Sequence, residues 1–184
     1  MDPAIDLKHS VATKLLWLDL EMTGLDPVVD RILEISAVVT DFNFAELDIY
    51  DSVIFQPPEV MDKMNEWSRT SHTANGLVDR VKAAPNEQHV VIELTDFIKR
   101  NFNEPAVLAG NSIHQDRRFI RQWWPDIENL LHYRMLDVSS FKVLMEGKYG
   151  VGFDKKEQHQ ASGDIRESIA ELKYYLEYLK SSNK

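Results

Sequence analysis

Apolar and polar positions divide the chain into an early part with strand patterning and a later part with helical patterning. The run "KLLWLDLEM" (14–22) is short, apolar and closed by the turn "TGLDP", which predicts a buried strand. "RILEISAVVTD" (31–41) and "ELDIYDSVIFQPP" (46–58) predict a second and a third. Their short connections predict an antiparallel meander. Residues 64–84 predict helix with a break near Gly76. Residues 86–102 place Val90, Val91, Leu94, Phe97 and Ile98 on one helical face. "AVLAGN" (106–111) predicts a short strand ending in a turn, 114–124 a helix stopped by Pro125, and 133–145 a strand passing into helix. In 164–180, Ile165, Ile169, Leu172, Leu176 and Leu179 recur at spacings of four and three, a helix again. Residues 1–13 carry no such pattern and predict a loose arm. Strands first, then helices alternating with short strands, define a mixed α/β domain.

Composition narrows the classes. With 184 residues and 43% hydrophobic content, one compact domain with its own core is expected. There is no cysteine, which excludes disulfides and thiolate metal sites and suits a reducing compartment. No apolar run approaches the roughly 18–20 residues of a membrane span. The first residues lack the features of a secretory or transit signal, so the cytoplasm is the expected location. Net charge is −9, from 21 basic and 30 acidic residues. Such a chain lacks the broad basic footprint of a duplex binder, so any nucleic-acid ligand should be short or held at one local site.

Against that background two acids inside the first strand stand out. In a strand, residues i and i+2 share a face, so Asp19 and Glu21 project together while Leu18 and Leu20 face away. Either that face is wet and the acids are solvated, or they are buried side by side and need a proton or a cation between them. Hard oxygen ligands of this kind suit Mg²⁺ or Mn²⁺. Asp116, in "GNSIHQDRRFI", falls in a first helical turn, where a carboxylate complements the helix dipole. Arg117, Arg118 and Arg121 beside it read equally well as solvated helix charges. His159 and Asp164 lie in "EQHQASGDIRES". Asp164 with Glu167 fits a variant capping box, and Ser162 a cap, which leaves His159 a plain loop residue. The other reading makes His159 a general base, since a histidine titrates near neutrality, with Asp164 reaching the strand acids. Four carboxylates of this kind suffice for a two-ion phosphoryl-transfer centre.

The stretches "WLDLEMTGLD", "MNEWSRTSH", "AGNSIHQDRRFI", "YRMLDVSSFK" and "HQASGDIRESIAELKYY" together resemble the DEDDh group of 3′-to-5′ exonucleases, and within it the oligoribonuclease family. The resemblance runs from about residue 15 to 176. It implies a single exonuclease domain over 1–184 with a ribonuclease H-like fold: a mixed sheet, antiparallel meander plus parallel strands, flanked by helices. It implies Asp19, Glu21, Asp116 and Asp164 as ligands of two divalent ions, Mg²⁺ or Mn²⁺, and His159 as general base. It implies Leu25 as an apolar wedge against the bases, Trp67 as a stacking platform (an ordinary core tryptophan being the other reading), and His72 and Ser112 as further pocket residues. The family forms homodimers, which implies Tyr133 and Arg134 acting in trans, Arg134 on a 5′ phosphate, with Ser139 in the same phosphate-capping segment. The implied activity is hydrolysis of very short RNAs, dinucleotides included, to 5′-mononucleotides. The alternative is a related DEDDh enzyme working on DNA ends or on the 3′ ends of longer RNA. One departure is visible: the family usually carries an acid just before its last catalytic Asp, and this chain has Gly163.

Overall fold

The computed structural model describes residues 12–154 and 161–181. The arm expected over 1–13 lies, up to residue 11, outside the described residues, and so does His159. The elements run β1 (Lys14–Met22), β2 (Ile32–Asp41), β3 (Glu46–Val53), α1 (Pro58–Met61), α2 (Glu66–Ala74), α3 (Leu77–Val81) and α4 (Glu87–Asn101). They continue with β4 (Ala106–Gly110), α5 (His114–Trp123), α6 (Pro125–Glu128), β5 (Leu131–Asp137), α7 (Val138–Leu144) and α8 (Ala161–Ser181). One five-stranded sheet has the order β3-β2-β1-β4-β5. β1, β2 and β3 pair antiparallel, while β4 lies parallel to β1 and β5 parallel to β4. The expected meander and mixed sheet are thus present, in a ribonuclease H-like arrangement.

β1 is buried on both faces because helices cover both sides of the sheet. Its even residues Leu16, Leu18 and Leu20 pack with Val90, Leu94 and Phe97 of α4 and Phe119 and Ile120 of α5. Its odd residues Leu15 and Trp17 pack with Ile165, Ile169 and Leu172 of α8. Each such buried side chain contributes about 1.5–3 kcal/mol. Trp17 also donates from Nε1 to Thr40 Oγ1 at 2.9 Å, so its polar atom is satisfied in the core. A smaller cluster of Leu33, Met64, Leu77 and Val81 seats α3 beside β2.

Two boundaries differ from the sequence expectation, and one expected break is met. The third strand stops at Val53, not at 58: the Phe55 N–H turns away to Pro85 O, and Pro57 and Pro58 have no N–H to donate. The break expected near Gly76 within 64–84 is met, α2 and α3 being parted there with Gly76 at φ 77°. The last helix begins at Ala161, so Asp164 lies within its first turn and is no N-cap, contrary to the capping-box reading. After α7 the chain winds into a π-helical turn, Met145–Tyr149, for which the sequence carries no signal.

Candidate active site

The odd face of β1 is apolar at Leu15 and Trp17 and becomes acidic at Asp19 and Glu21, where the strand emerges from beneath α8. Asp164, in the first turn of α8, comes down on the same point. Asp19, Glu21 and Asp164 each offer a carboxylate oxygen, and these atoms all lie within 4.8 Å of one another. The three residues are partly buried. The cross-strand register sets Glu34 of β2 directly opposite Glu21, adding a fourth acid to that face. The two Arg80 Nη atoms of α3 bond both Glu34 oxygens and hold it back.

Asp116 arrives from the opposite side of β1. The β4 strand ends at Gly110, while β1 runs on to Met22, so the edge of β1 facing β4 loses its ladder partner. The Leu20 N–H on that edge donates instead to Asp116 Oδ1, at 3.0 Å. Leu20 sits between Asp19 and Glu21, so this bond seats a fourth predicted carboxylate beside the other three. Asp116 is itself buried, which rules out the reading of a mere surface charge at a helix start. The close approach requires Gly110, because a Cβ there would stand 2.9 Å from Leu18 O.

Burial and mutual repulsion act on the group together. Desolvation first, then the charges of Asp116, Glu21, Asp164 and Glu34, push the Asp19 carboxyl well above its ordinary value. Desolvation, then Asp164 and Glu34, raises Glu21 to about 7, with Arg80 opposing. Asp116 is pushed up to about 7 chiefly by burial, against the N–H bonds it accepts. His72, buried on α2, points Nε2 at Met22 O (2.9 Å), and since a carbonyl only accepts, Nε2 must donate. The buried Nδ1 has no hydrogen-bond partner among the described residues and lies 3.9 Å from Glu21 Oε2. Buried carboxylates that converge and repel one another suit a hard cation, and the all-oxygen ligand set suits Mg²⁺ or Mn²⁺.

The turn after β1 is built to hold one side chain outward. Asp30 accepts from Thr23 Oγ1 (2.8 Å) and Asp26 N (2.9 Å), closing the loop on itself. A Cβ at Gly24 would come within 2.4 Å of Asp30 Oδ2, so any side chain there must displace the Asp30 carboxylate. Leu25 stands at the tip, 69% exposed. α2 starts beside this turn, tied by Asn65 N to Thr23 O at 3.2 Å, and its Trp67 is 70% exposed. A core role for Trp67 is therefore excluded.

On the other flank, Ser112 takes φ 51°. Its N–H bonds both Asp137 Oδ1 (3.0 Å) and Ser139 Oγ (2.9 Å), and the two hydroxyl oxygens are 3.0 Å apart. Asp137 also caps α7 through Ser139 N, and its other oxygen accepts from His114 Nδ1 at 3.2 Å. Asn111 ties this corner to α8, donating to Ser168 Oγ at 2.8 Å and Glu171 Oε2 at 3.1 Å. The motifs single out neither Asp137, Asn111 nor Glu34. The one advance signal is Asp137 two residues before Ser139, a spacing that suits a helix cap. Tyr133 and Arg134 project from β5, both exposed and far out on the sheet edge.

These features define a nuclease-type acidic centre on a ribonuclease H-like sheet. The exonuclease family of the RNase T type matches residues 16–172. Over 172 residues the chain is 45% identical to the oligoribonuclease of Actinobacillus succinogenes, covering 89% of this chain and 93% of that one. It is 44% identical over 175 residues to the oligoribonuclease of Thiobacillus denitrificans, covering 90% and 94%. Among solved structures it is similar to exonuclease I of E. coli in complex with a dT13 oligonucleotide, at TM-score 0.65 and 13% identity, over 88% of this chain and 41% of that one. A product-bound exonuclease I matches at TM-score 0.65 and 14% identity, over 92% and 46%. The chain thus spans less than half of those exonuclease I structures, and the likeness is one of fold. The chain belongs to the oligoribonuclease family of 3′-to-5′ exoribonucleases.

Proposed function

We propose that this enzyme removes 5′-mononucleotides from the 3′ ends of very short RNAs, dinucleotides included, using two divalent ions. The observation that carries the reading is the gathering of Asp19, Glu21 and Asp164 within 4.8 Å, with Asp116 bonded to the residue between the first two. These four side chains hold Mg²⁺ or Mn²⁺. When bound, such a pair of ions stabilises charge on the attacking and departing oxygens. His159, from the segment just before α8, takes the proton of the attacking water. Leu25 wedges against a base, Trp67 stacks on one, and His72 lines the pocket beside Glu21. Ser112 and Ser139 receive a phosphate. Tyr133 and Arg134 reach a second subunit's site in a homodimer, and Arg134 grips a 5′ phosphate bidentately. The whole of 1–184 acts as one exonuclease domain, in the cytoplasm. Among the described residues no helix is long and apolar enough to cross a membrane.

The net charge of −9 supports the short substrate, since an acidic protein disfavours a long phosphate backbone. A length series tests this with Mn²⁺ present. A dinucleotide should be cleaved faster than a twenty-mer, and RNA faster than DNA of the same length. Equal rates across length would favour an enzyme of longer 3′ ends, and a preference for DNA one of DNA ends. His159→Ala should lower kcat about 10²–10⁴-fold; an unchanged rate removes His159 from its role.

A further inference from the structure

The β4–β5 ladder is broken at one place. Ala106 pairs with Leu131 and Leu108 with Met135, so His132, Tyr133 and Arg134 stand opposite the single residue Val107. Two surplus residues on one strand force a bulge. Within it, Arg134 N donates to His132 Nδ1 at 3.0 Å. The His132 and Tyr133 rings lie 4.5 Å apart, and the Arg134 guanidinium sits over the Tyr133 ring at 5.1 Å. The result is a stacked, outward-facing group on a sheet edge, with Tyr133 68% exposed. A bulge strips backbone carbonyls from the ladder, and those carbonyls need donors. Arg117 supplies them: Nη1 donates to His132 O at 2.8 Å and to Tyr133 O at 3.2 Å. Its Nε and Nη2 are held by Glu128 at 3.1–3.2 Å. The arginine is 7% exposed and adjoins Asp116, so this clasp starts from the helix that carries a metal-site carboxylate.

We propose that Arg117 is a positioning residue for the exonuclease reaction. Clasped by Glu128, it fixes the β5 bulge so that Tyr133, whose carbonyl it holds, meets the short RNA bound by a second subunit. The inference rests on the trans role given above to Tyr133. A planar guanidinium with five donors satisfies two carbonyls and a carboxylate at once, which a lysine cannot.

The test compares dinucleotide hydrolysis with Mn²⁺ for wild type, Arg117→Lys, Glu128→Gln, Tyr133→Ala and the doubles carrying Tyr133→Ala. Glu128→Gln loosens the clasp without emptying its site, and so covers the case in which Arg117→Lys fails to fold. Tyr133→Ala should raise KM about tenfold, as loss of one stacked contact does. Arg117→Lys and Glu128→Gln should each raise KM several-fold with kcat within about twofold. They should also speed amide exchange at residues 132–134. On the Tyr133→Ala background neither should add its full effect, because the side chain being positioned is gone. A folded clasp variant with wild-type KM, or one whose effect is fully additive with Tyr133→Ala, overturns the proposal. A wild-type KM for Tyr133→Ala overturns the trans reading itself, a separate result.

Discussion

Glu21 bears more charge than its surroundings favour. Desolvation and two acid neighbours raise its carboxyl to about 7, and Arg80 offsets only part of that. Glu21→Gln keeps the shape and removes one charge from the group. The metal-free protein should then be more stable at pH 8 by on the order of 2 kcal/mol, while hydrolysis with Mn²⁺ falls steeply. Thermal melts and initial rates on the same preparations read both; a metal-free protein that melts lower would mean that repulsion is not what raises Glu21. The acid pair itself was legible, since two-residue spacing in a strand is enough to align Asp19 and Glu21. By its local pattern Asp116 is visible only as a favourable helix charge, and the motif resemblance alone marks it as a ligand. Its bond to Leu20 N exists because β4 stops short, and strand lengths across a sheet are a property of the fold, not of the local motif. Glu34 is equally hidden, because only the β1–β2 register sets it against Glu21.

Between β1 and β2, the exposure of Leu25 depends on a loop tied inward by Asp30. Gly24→Ala drives a Cβ into the Asp30 carboxylate and must open the Thr23–Asp30 and Asp26–Asp30 bonds. Overpacking of this kind costs about 1–3 kcal/mol. The expected result is a modest fall in Tm and a raised KM for dinucleotides with kcat changed less; an unchanged KM would separate Leu25 from substrate binding. Elements with a full periodic face, such as α4 and α8, could be drawn from the sequence nearly whole. Short ones could not. α6 and the Met145–Tyr149 turn follow from tertiary packing, and the end of β3 from Phe55 N–H turning to Pro85 O. The β5 bulge leaves no mark in hydrophobic pattern, because its extra residues face solvent.

At the scale of the whole molecule the acidic centre couples folding to pH and to metal. Carboxyls raised above their unfolded values keep protons that the unfolded chain would release, so the folded state binds more protons between about pH 4 and 7. The stability they contribute is fully present below the unfolded values and is lost as pH rises through about 7, the value for Glu21 and Asp116. The metal-free protein should therefore melt at lower temperature at pH 8 than at about pH 5.5. Added Mg²⁺ or Mn²⁺, by binding the ionised form, should raise Tm more at the higher pH. Melting curves at both values, with chelator and with metal, decide it; a metal-independent Tm at pH 8 would argue against a cation centre. The fold class follows from the order of patterned segments, and the family from its motifs. That acids spread from Asp19 to Asp164 share one point depends on α8 crossing back over β1, a long-range packing that no local pattern encodes.

One backbone angle separates what the chain tolerates from what it needs. At φ 51° Ser112 occupies a conformation that glycine adopts freely and serine resists, at roughly 1 kcal/mol. Ser112→Gly should relax the corner and leave Tm unchanged or higher, yet weaken dinucleotide binding through the missing hydroxyl. A protein sturdier but hungrier for substrate would mark Ser112 as a position where comfort has been given up for grip.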